Sequence, residues 1–338
     1  MSELAKVARA MVAKGKGILA ADESTGTIGK RFQSINVENT EENRRAYRDL
    51  LFSSKGLGEH IGGVILYDET LRQKSANGTP FAEILGKLGV LPGIKVDGGT
   101  KAMALCPGEV ITEGLDGLSK RCAEYLKLGA KFAKWRAVIT IGRDIPSTAC
   151  IVANAHALAR YGAISQAEGL VPIIEPEVLM DGEHSIEQCE WVSEATLREV
   201  FAALAAQRVA PEDMVLKPSM VISGKGCARQ AGVDEVAERT LKILKRTVPA
   251  AVPGIAFLSG GQSDELATAH LDAMNKLGGC PWTLSFSYGR ALQQPALKAW
   301  RGAASNTAAA QAALLHRARM NGLATTGQYR ADLEKKAA

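Results

Sequence analysis

The stretch FAKWRAVI, residues 132–139, carries a lysine and an arginine inside an otherwise apolar, β-favouring run. In an extended chain successive side chains point to opposite faces, so Phe132, Lys134 and Arg136 share one face and Ala133, Trp135 and Ala137 the other. The run LVPIIEPEV, residues 170–178, groups Ile173, Glu175 and Glu177 in the same way. A charge taken out of water must be paired or change its protonation. A face shared by such charges is therefore either an ion network or a reactive site.

Similar short runs recur on both sides: GILAAD (17–22), GGVILYDE (62–69), GIKVDG (93–98), MVLKPSMV (214–221), GIAFLSGG (254–261) and TLSFSYG (283–289). Helical patterns separate them, including ITEGLDGLSKRCAEYLKLG (111–129), SIEQCEWVSEATLREVFAALAAQ (185–207) and GVDEVAERTLKILKRTV (232–248). Alternation of strand and helix argues for parallel strands. Eight such strands without a flexible linker predict an α/β fold, a closed (β/α)8 TIM barrel in preference to an open doubly wound sheet. Residues 1–338 are expected to form one domain, with the barrel core at about 15–300 and additional helices at both ends. Leu4, Val7, Ala8, Met11 and Val12 mark one face of the N-terminal helix, and NTAAAQAALLHRARMNG (306–322) marks a C-terminal one. The polar tail QYRADLEKKAA, residues 328–338, is expected to be mobile or packed late against the barrel.

Composition narrows the function. The chain of 338 residues is 46% hydrophobic and 23% charged, with a formal charge of +5 spread along its length. That balance favours anionic metabolites over nucleic acid, which usually meets a concentrated basic patch. The six cysteines never approach C-x-x-C spacing, as expected of thiols in a cytoplasmic protein. No apolar run is long enough for a membrane span, and the N-terminal stretch lacks the apolar core of a secretory signal. ADESTGTIGKR, residues 21–31, fails the Walker A pattern at both ends, because Lys30 is followed by Arg31 and Ser24 stands where the first glycine belongs.

Asp22, Lys95, Lys134, Arg136, Glu175, Glu177 and Lys217 all fall in strand-like runs. If they share the barrel interior, they meet near its C-terminal mouth. A lysine attacks a carbonyl as the neutral amine, so two lysines with a carboxylate between them suit Schiff-base chemistry. Metal chemistry fits poorly, since His60, His156, His184, His270 and His316 show no paired ligand spacing. For His60, His184 and His270 a solvated structural role is expected. LSGGQS (258–263) and SYGRAL (287–292) offer Ser259, Gly260, Gly289 and Arg290 at helix starts after the last two strands, where this fold binds phosphate. Ser24, Thr27 and Lys95 could hold a second anion across the mouth.

From GKGILAADESTGTIGKR to ATTGQYR, through FAKWRAV, PIIEPEV, LKPSMV, FLSGGQS and SFSYGRALQ, the chain resembles the class I, Schiff-base, fructose-1,6-bisphosphate aldolases. The resemblance implies a (β/α)8 barrel that cleaves fructose 1,6-bisphosphate reversibly to dihydroxyacetone phosphate and glyceraldehyde 3-phosphate in glycolysis and gluconeogenesis. It implies Lys217 as the imine lysine, Glu175 as proton shuttle, Glu177 as support for the lysine network, and Asp22 with Lys134 as the pair that orients substrate and assists C–C cleavage. Arg136 matches an arginine beside the catalytic lysine. Ser259, Gly260, Gly289 and Arg290 match the ketone-end phosphate site, and Ser24, Thr27 and Lys95 the far one. No cofactor or metal is implied; the partners are a phosphorylated sugar and further copies of the chain in a homotetramer, with a dimer as the alternative. Other Schiff-base barrels, such as transaldolases and deoxyribose-phosphate aldolases, act on substrates with one phosphate, and a non-catalytic scaffold would not need the proton-transfer residues. Many family members end in a tyrosine that helps move the C3 proton. This chain has no aromatic residue after Tyr329, so that exchange is expected to use Glu175 or a water beside it, ahead of Tyr329 itself, and loss of residues 331–338 is expected to leave cleavage nearly intact.

Overall fold

The computed structural model describes residues 1–336. Ten strands follow the chain: β1 (Gly17–Ala21), β2 (Ile61–Leu66), β3 (Leu91–Lys95), β4 (Thr100–Ala102), β5 (Val110–Thr112), β6 (Phe132–Ile139), β7 (Val171–Val178), β8 (Val215–Leu216), β9 (Gly254–Phe257) and β10 (Thr283–Tyr288). Eight of them close a barrel in the order β1-β10-β9-β8-β7-β6-β3-β2, every pair parallel. These are the eight runs read from the sequence, and the fold is a (β/α)8 barrel with extra terminal helices.

Alternation along the strands divides the apolar residues between two cores. Ile18, Ala20, Ile65, Phe132, Val171, Ile173, Val215 and Ala256 face inward, and Ala8, Met11 and Val12 of the N-terminal segment join them. That segment contains the helix Glu3–Met11, capped by Ser2, so its apolar face stoppers the N-terminal end of the barrel. The outward residues, among them Trp135, Ile174, Leu216 and Phe257, pack under the surrounding helices in the larger core. Phe132 fills the interior over β3, where a Cβ on Gly93 would lie 2.1 Å from its ring. Glycine at 93 is therefore a packing requirement.

Two predicted elements differ. The helix expected over 111–129 is confined to Leu118–Lys127, because Val110–Thr112 pairs antiparallel with Thr100–Ala102 as a hairpin. Glu113 continues that hairpin, accepting from Gly98 N at 2.7 Å and donating to Gly99 O at 3.1 Å. The strand expected over 214–221 is only β8, since Pro218 has no N–H to continue the ladder. Ser219 Oγ substitutes for it, accepting from Val178 N and donating to Val178 O at 2.9 and 2.8 Å.

The C-terminal helix runs Thr307–Ala324. The tail after it packs on the body: Ala331–Lys336 forms a 3-10 turn, and Glu334 accepts from Arg317, His316 and the Tyr329 hydroxyl. Residues 337 and 338, the last of the expected tail, lie outside the described residues.

Candidate active site

The C-terminal ends of the barrel strands enclose a cavity of about 610 Å³. Its lining includes Asp22, Ser24, Thr27, Lys95, Lys134, Arg136, Glu175, Glu177, Lys217, Ser259, Gly260, Gly289 and Arg290, every residue singled out in the sequence. Strand geometry explains the convergence. Lys134 and Glu175 sit one inward step above the apolar floor of Phe132 and Ile173, while Asp22 and Lys217 are the first residues beyond β1 and β8. Lys217 N still donates to Ile174 O at 2.8 Å, which extends the ladder by one bond and fixes the lysine backbone.

The inner charges form a chain of contacts. Lys217 Nζ lies 2.9 Å from Glu175 Oε1, and Lys134 Nζ lies 3.1 Å from Glu175 Oε2 and 2.8 Å from Asp22 Oδ2. Lys217, Glu175 and Lys134 are all at least 95% buried by side chain. Glu175 Oε2 is within ion-pair distance of Lys134 but outside hydrogen-bond geometry to it. Burial works against the charged form of Asp22, but Lys134 and Lys217 outweigh it and hold the carboxyl well below the usual range. Burial likewise opposes the Lys134 ammonium, and Asp22, Glu175 and Asp97 override it, so Lys134 is a resident cation. Glu177 makes its ion pair with Arg136 rather than with either lysine, and that pair raises the guanidinium against the effect of burial.

Two polar cradles flank this chain. On one side Ser24 caps the helix Thr25–Gln33, accepting from Thr27 N at 3.4 Å, and its hydroxyl lies 3.1 Å from that of Thr27. Lys95 completes that side and is held by Asp97 Oδ1 at 2.6 Å. On the other side the loop after β9 turns through Gly260 and Gly261 at φ +54° and +83°, a left-handed pair open to glycine, and both glycines line the cavity. Arg290 opens the helix Arg290–Trp300 beside it and, among the described residues, is the one cavity cation without a carboxylate within 4.0 Å. An unpaired guanidinium beside glycine amides is equipped for an anion.

The cavity also holds residues that the sequence did not single out. Arg31 lines it one helical turn after Thr27, bound to the buried Glu23 at 2.5 Å. Thr27 and Arg31 share a face by their spacing of four, a signal the sequence carried. Ser287 lines it with a buried hydroxyl that has no partner among the described residues; its alternation with Phe286 and Tyr288 gave its direction. Asp97 and the Gly98–Thr100 segment form the rim below the unforeseen hairpin. Three histidines were expected to be solvated. His184 and His270 are instead 6% and 2% exposed, because helix packing and loop closure cover them.

The fructose-bisphosphate aldolase class-I family model matches residues 3–338. The chain belongs to this family. It is 60% identical over 331 residues to a probable fructose-bisphosphate aldolase class 1 of Xanthomonas campestris pv. campestris, covering 98% of this chain and 99% of that one. It is 56% identical over 328 residues to a cytoplasmic isozyme of fructose-bisphosphate aldolase from Spinacia oleracea, covering 97% and 92%. The fructose-bisphosphate aldolase of Plasmodium falciparum, solved in complex with TRAP and an inhibitor, superposes with a TM-score of 0.96 at 50% identity, covering 97% of this chain and 95% of that one. The activity of this aldolase is reversible cleavage of fructose 1,6-bisphosphate through a Schiff base, a glycolytic step that also runs in gluconeogenesis. Its ligand is a phosphorylated sugar.

Proposed function

We propose that Lys217 is the residue that forms the imine, with Glu175 as its proton shuttle and Asp22 with Lys134 as the pair that orients the substrate chain. The observation that carries this reading is the contact of Glu175 with both lysines, one on each carboxylate oxygen. Lys217 attacks the C2 ketone as the free amine, and Glu175 relays protons as the carbinolamine loses water. The resulting iminium is the electron sink. Loss of the C4 hydroxyl proton to Glu175 or Asp22 then breaks C3–C4, releases glyceraldehyde 3-phosphate and leaves an enamine on Lys217. Protonation at C3 and hydrolysis release dihydroxyacetone phosphate, and synthesis runs the steps backward.

Ser259, Gly260, Gly289 and Arg290 take the phosphate at the ketone end in this reading, while Ser24, Thr27 and Lys95 take the other. The unpaired Arg290 supports the first assignment, and the helix N-terminus at Ser24 supports the second. Arg136 and Glu177 together border the lysine chain as a paired support. Residues 1–338 act as a single domain, a reading supported by the packing of the C-terminal helix on the barrel helices.

Borohydride added with dihydroxyacetone phosphate tests the assignment. Reduction of the iminium is expected to add one ligand to the peptide bearing Lys217 and to abolish activity; a ligand on Lys134 would reverse the two lysine roles.

We further infer a cytoplasmic homotetramer. The cytoplasmic isozyme from spinach supports the location. Trp191, 67% exposed, and Leu105, fully exposed on the β4–β5 hairpin, supply apolar surface for association.

A further inference from the structure

The loop between β9 and the helix Asp264–Leu277 presents Ser259 and two glycines to the cavity, and glycines have no side chains with which to hold a loop in place. The next residue does that work. Gln262 is 4% exposed and folds back under the loop. Its Nε2 donates to Ser259 O at 3.0 Å, and its main-chain N–H donates to the same carbonyl at 3.0 Å. Its own carbonyl accepts from Arg290 Nη2 at 2.6 Å. One residue therefore ties together the serine and the arginine of the ketone-end cradle.

Gln262 is held in turn by His270, two turns along the helix. Gln262 Oε1 lies 2.5 Å from His270 Nδ1. An amide oxygen only accepts, so the imidazole carries its proton on Nδ1. His270 Nε2 is buried with no partner among the described residues. Burial pushes the imidazole down to about 4, so it stays neutral at ordinary pH and the donor is constant. Leaving one ring nitrogen unsatisfied is costly, and an apolar side chain would fill the same space without that cost. It would also leave Gln262 Oε1 without a donor.

We propose that Gln262 and His270 are positioning residues of the phosphate site: the buried imidazole fixes the Gln262 amide, which keeps Ser259, the loop amides and Arg290 aimed into the cavity. The proposal rests on the reading of this loop as the ketone-end phosphate cradle.

The test compares H270L, which removes the donor, with H270N, whose amide N–H stands near the place of Nδ1. H270L is expected to raise KM for fructose 1,6-bisphosphate about tenfold while kcat stays within about twofold. The dihydroxyacetone phosphate concentration giving half-maximal borohydride inactivation is expected to rise by a similar factor. H270N is expected to restore both values. If H270L does not fold, Q262A is measured in the same way and is expected to show the same split. R290A separates the two levels: an unchanged KM in R290A overturns the phosphate reading itself. If R290A raises KM while soluble H270L or Q262A matches the wild type, the positioning role is wrong. Equal losses in kcat and kcat/KM that H270N does not repair would also overturn it.

Discussion

Glu175 meets two lysines at once, and a neutral amide of the same size cannot serve both as base and as acid. E175Q is expected to lower kcat by about 10²-fold or more, the usual scale for a lost acid–base group. Borohydride trapping at long incubation should still label Lys217, since slow imine formation needs no Glu175 proton once water substitutes. His270 makes a second prediction at this scale. Its folded value is about 4 against an ordinary 6.5. Between those limits the unfolded chain binds a proton that the folded chain refuses, so stability falls as pH drops from about 6.5 to about 4. Urea midpoints measured across that window are expected to decline in the wild type and to flatten in H270N. The charged residues assigned to the cavity were legible in the sequence, because a charge inside a β-rich apolar run has to be paired or put to chemical use once the strand is buried. Arg31 was passed over despite its spacing of four from Thr27, since a charge on a helix usually means solvent. So was His270, although it shares the buried face of its helix with Ala267, Leu271 and Met274, because a histidine in such a period reads as polar until its buried partner, Gln262, is known.

The elements were legible where their period was long and clean. The helix Ile186–Ala206 begins one residue after a capping serine and carries a complete capping box. The β4–β5 hairpin escaped because its strands are three residues each and β4 is wholly exposed, so neither shows an apolar period. β8 is shorter still, and its site depends on Ser219 replacing ladder bonds that Pro218 cannot make. S219A removes both bonds to Val178 and leaves buried backbone groups unpaired. A loss of about 1–3 kcal/mol is expected in denaturant titration, with lower kcat as the segment after Lys217 loses its tie to β7. The tail also bears on stability, which the expectation of nearly intact cleavage did not address. Glu334 is the carboxylate partner of Arg317, which is 4% exposed and also donates to Asp264 O and Thr268 Oγ1. E334A leaves that cation buried without its anion, a change that costs about 3–5 kcal/mol in comparable pairs. A midpoint unchanged from the wild type in E334A, or after deletion of residues 331–338, would show that Arg317 finds another partner.

At the scale of the molecule, the stopper helix leaves the barrel open at one end only, so substrate, both products and the water of hydrolysis share a single mouth. Association of chains is a separate matter, checked by light scattering at several concentrations; a mass of four chains is expected, and a monomer at micromolar protein would exclude the assembly. The Lys134 to Asp22 bond has a different reach. It joins residues 112 apart in sequence, on β6 and just past β1, and these strands are not neighbours in the ring. The cavity needs one junction more, because Asp22 and Ser24 follow β1 whereas Gly289 and Arg290 follow β10, and the β1–β10 pairing brings them to one mouth; catalysis therefore cannot precede the meeting of the two ends of the sheet. In a refolding time course, helical signal and partial compactness can accumulate on separate halves, yet every half-built barrel is silent in the aldol assay. The return of turnover is a clock for ring closure, and it should start only after the last slow phase seen by tryptophan fluorescence.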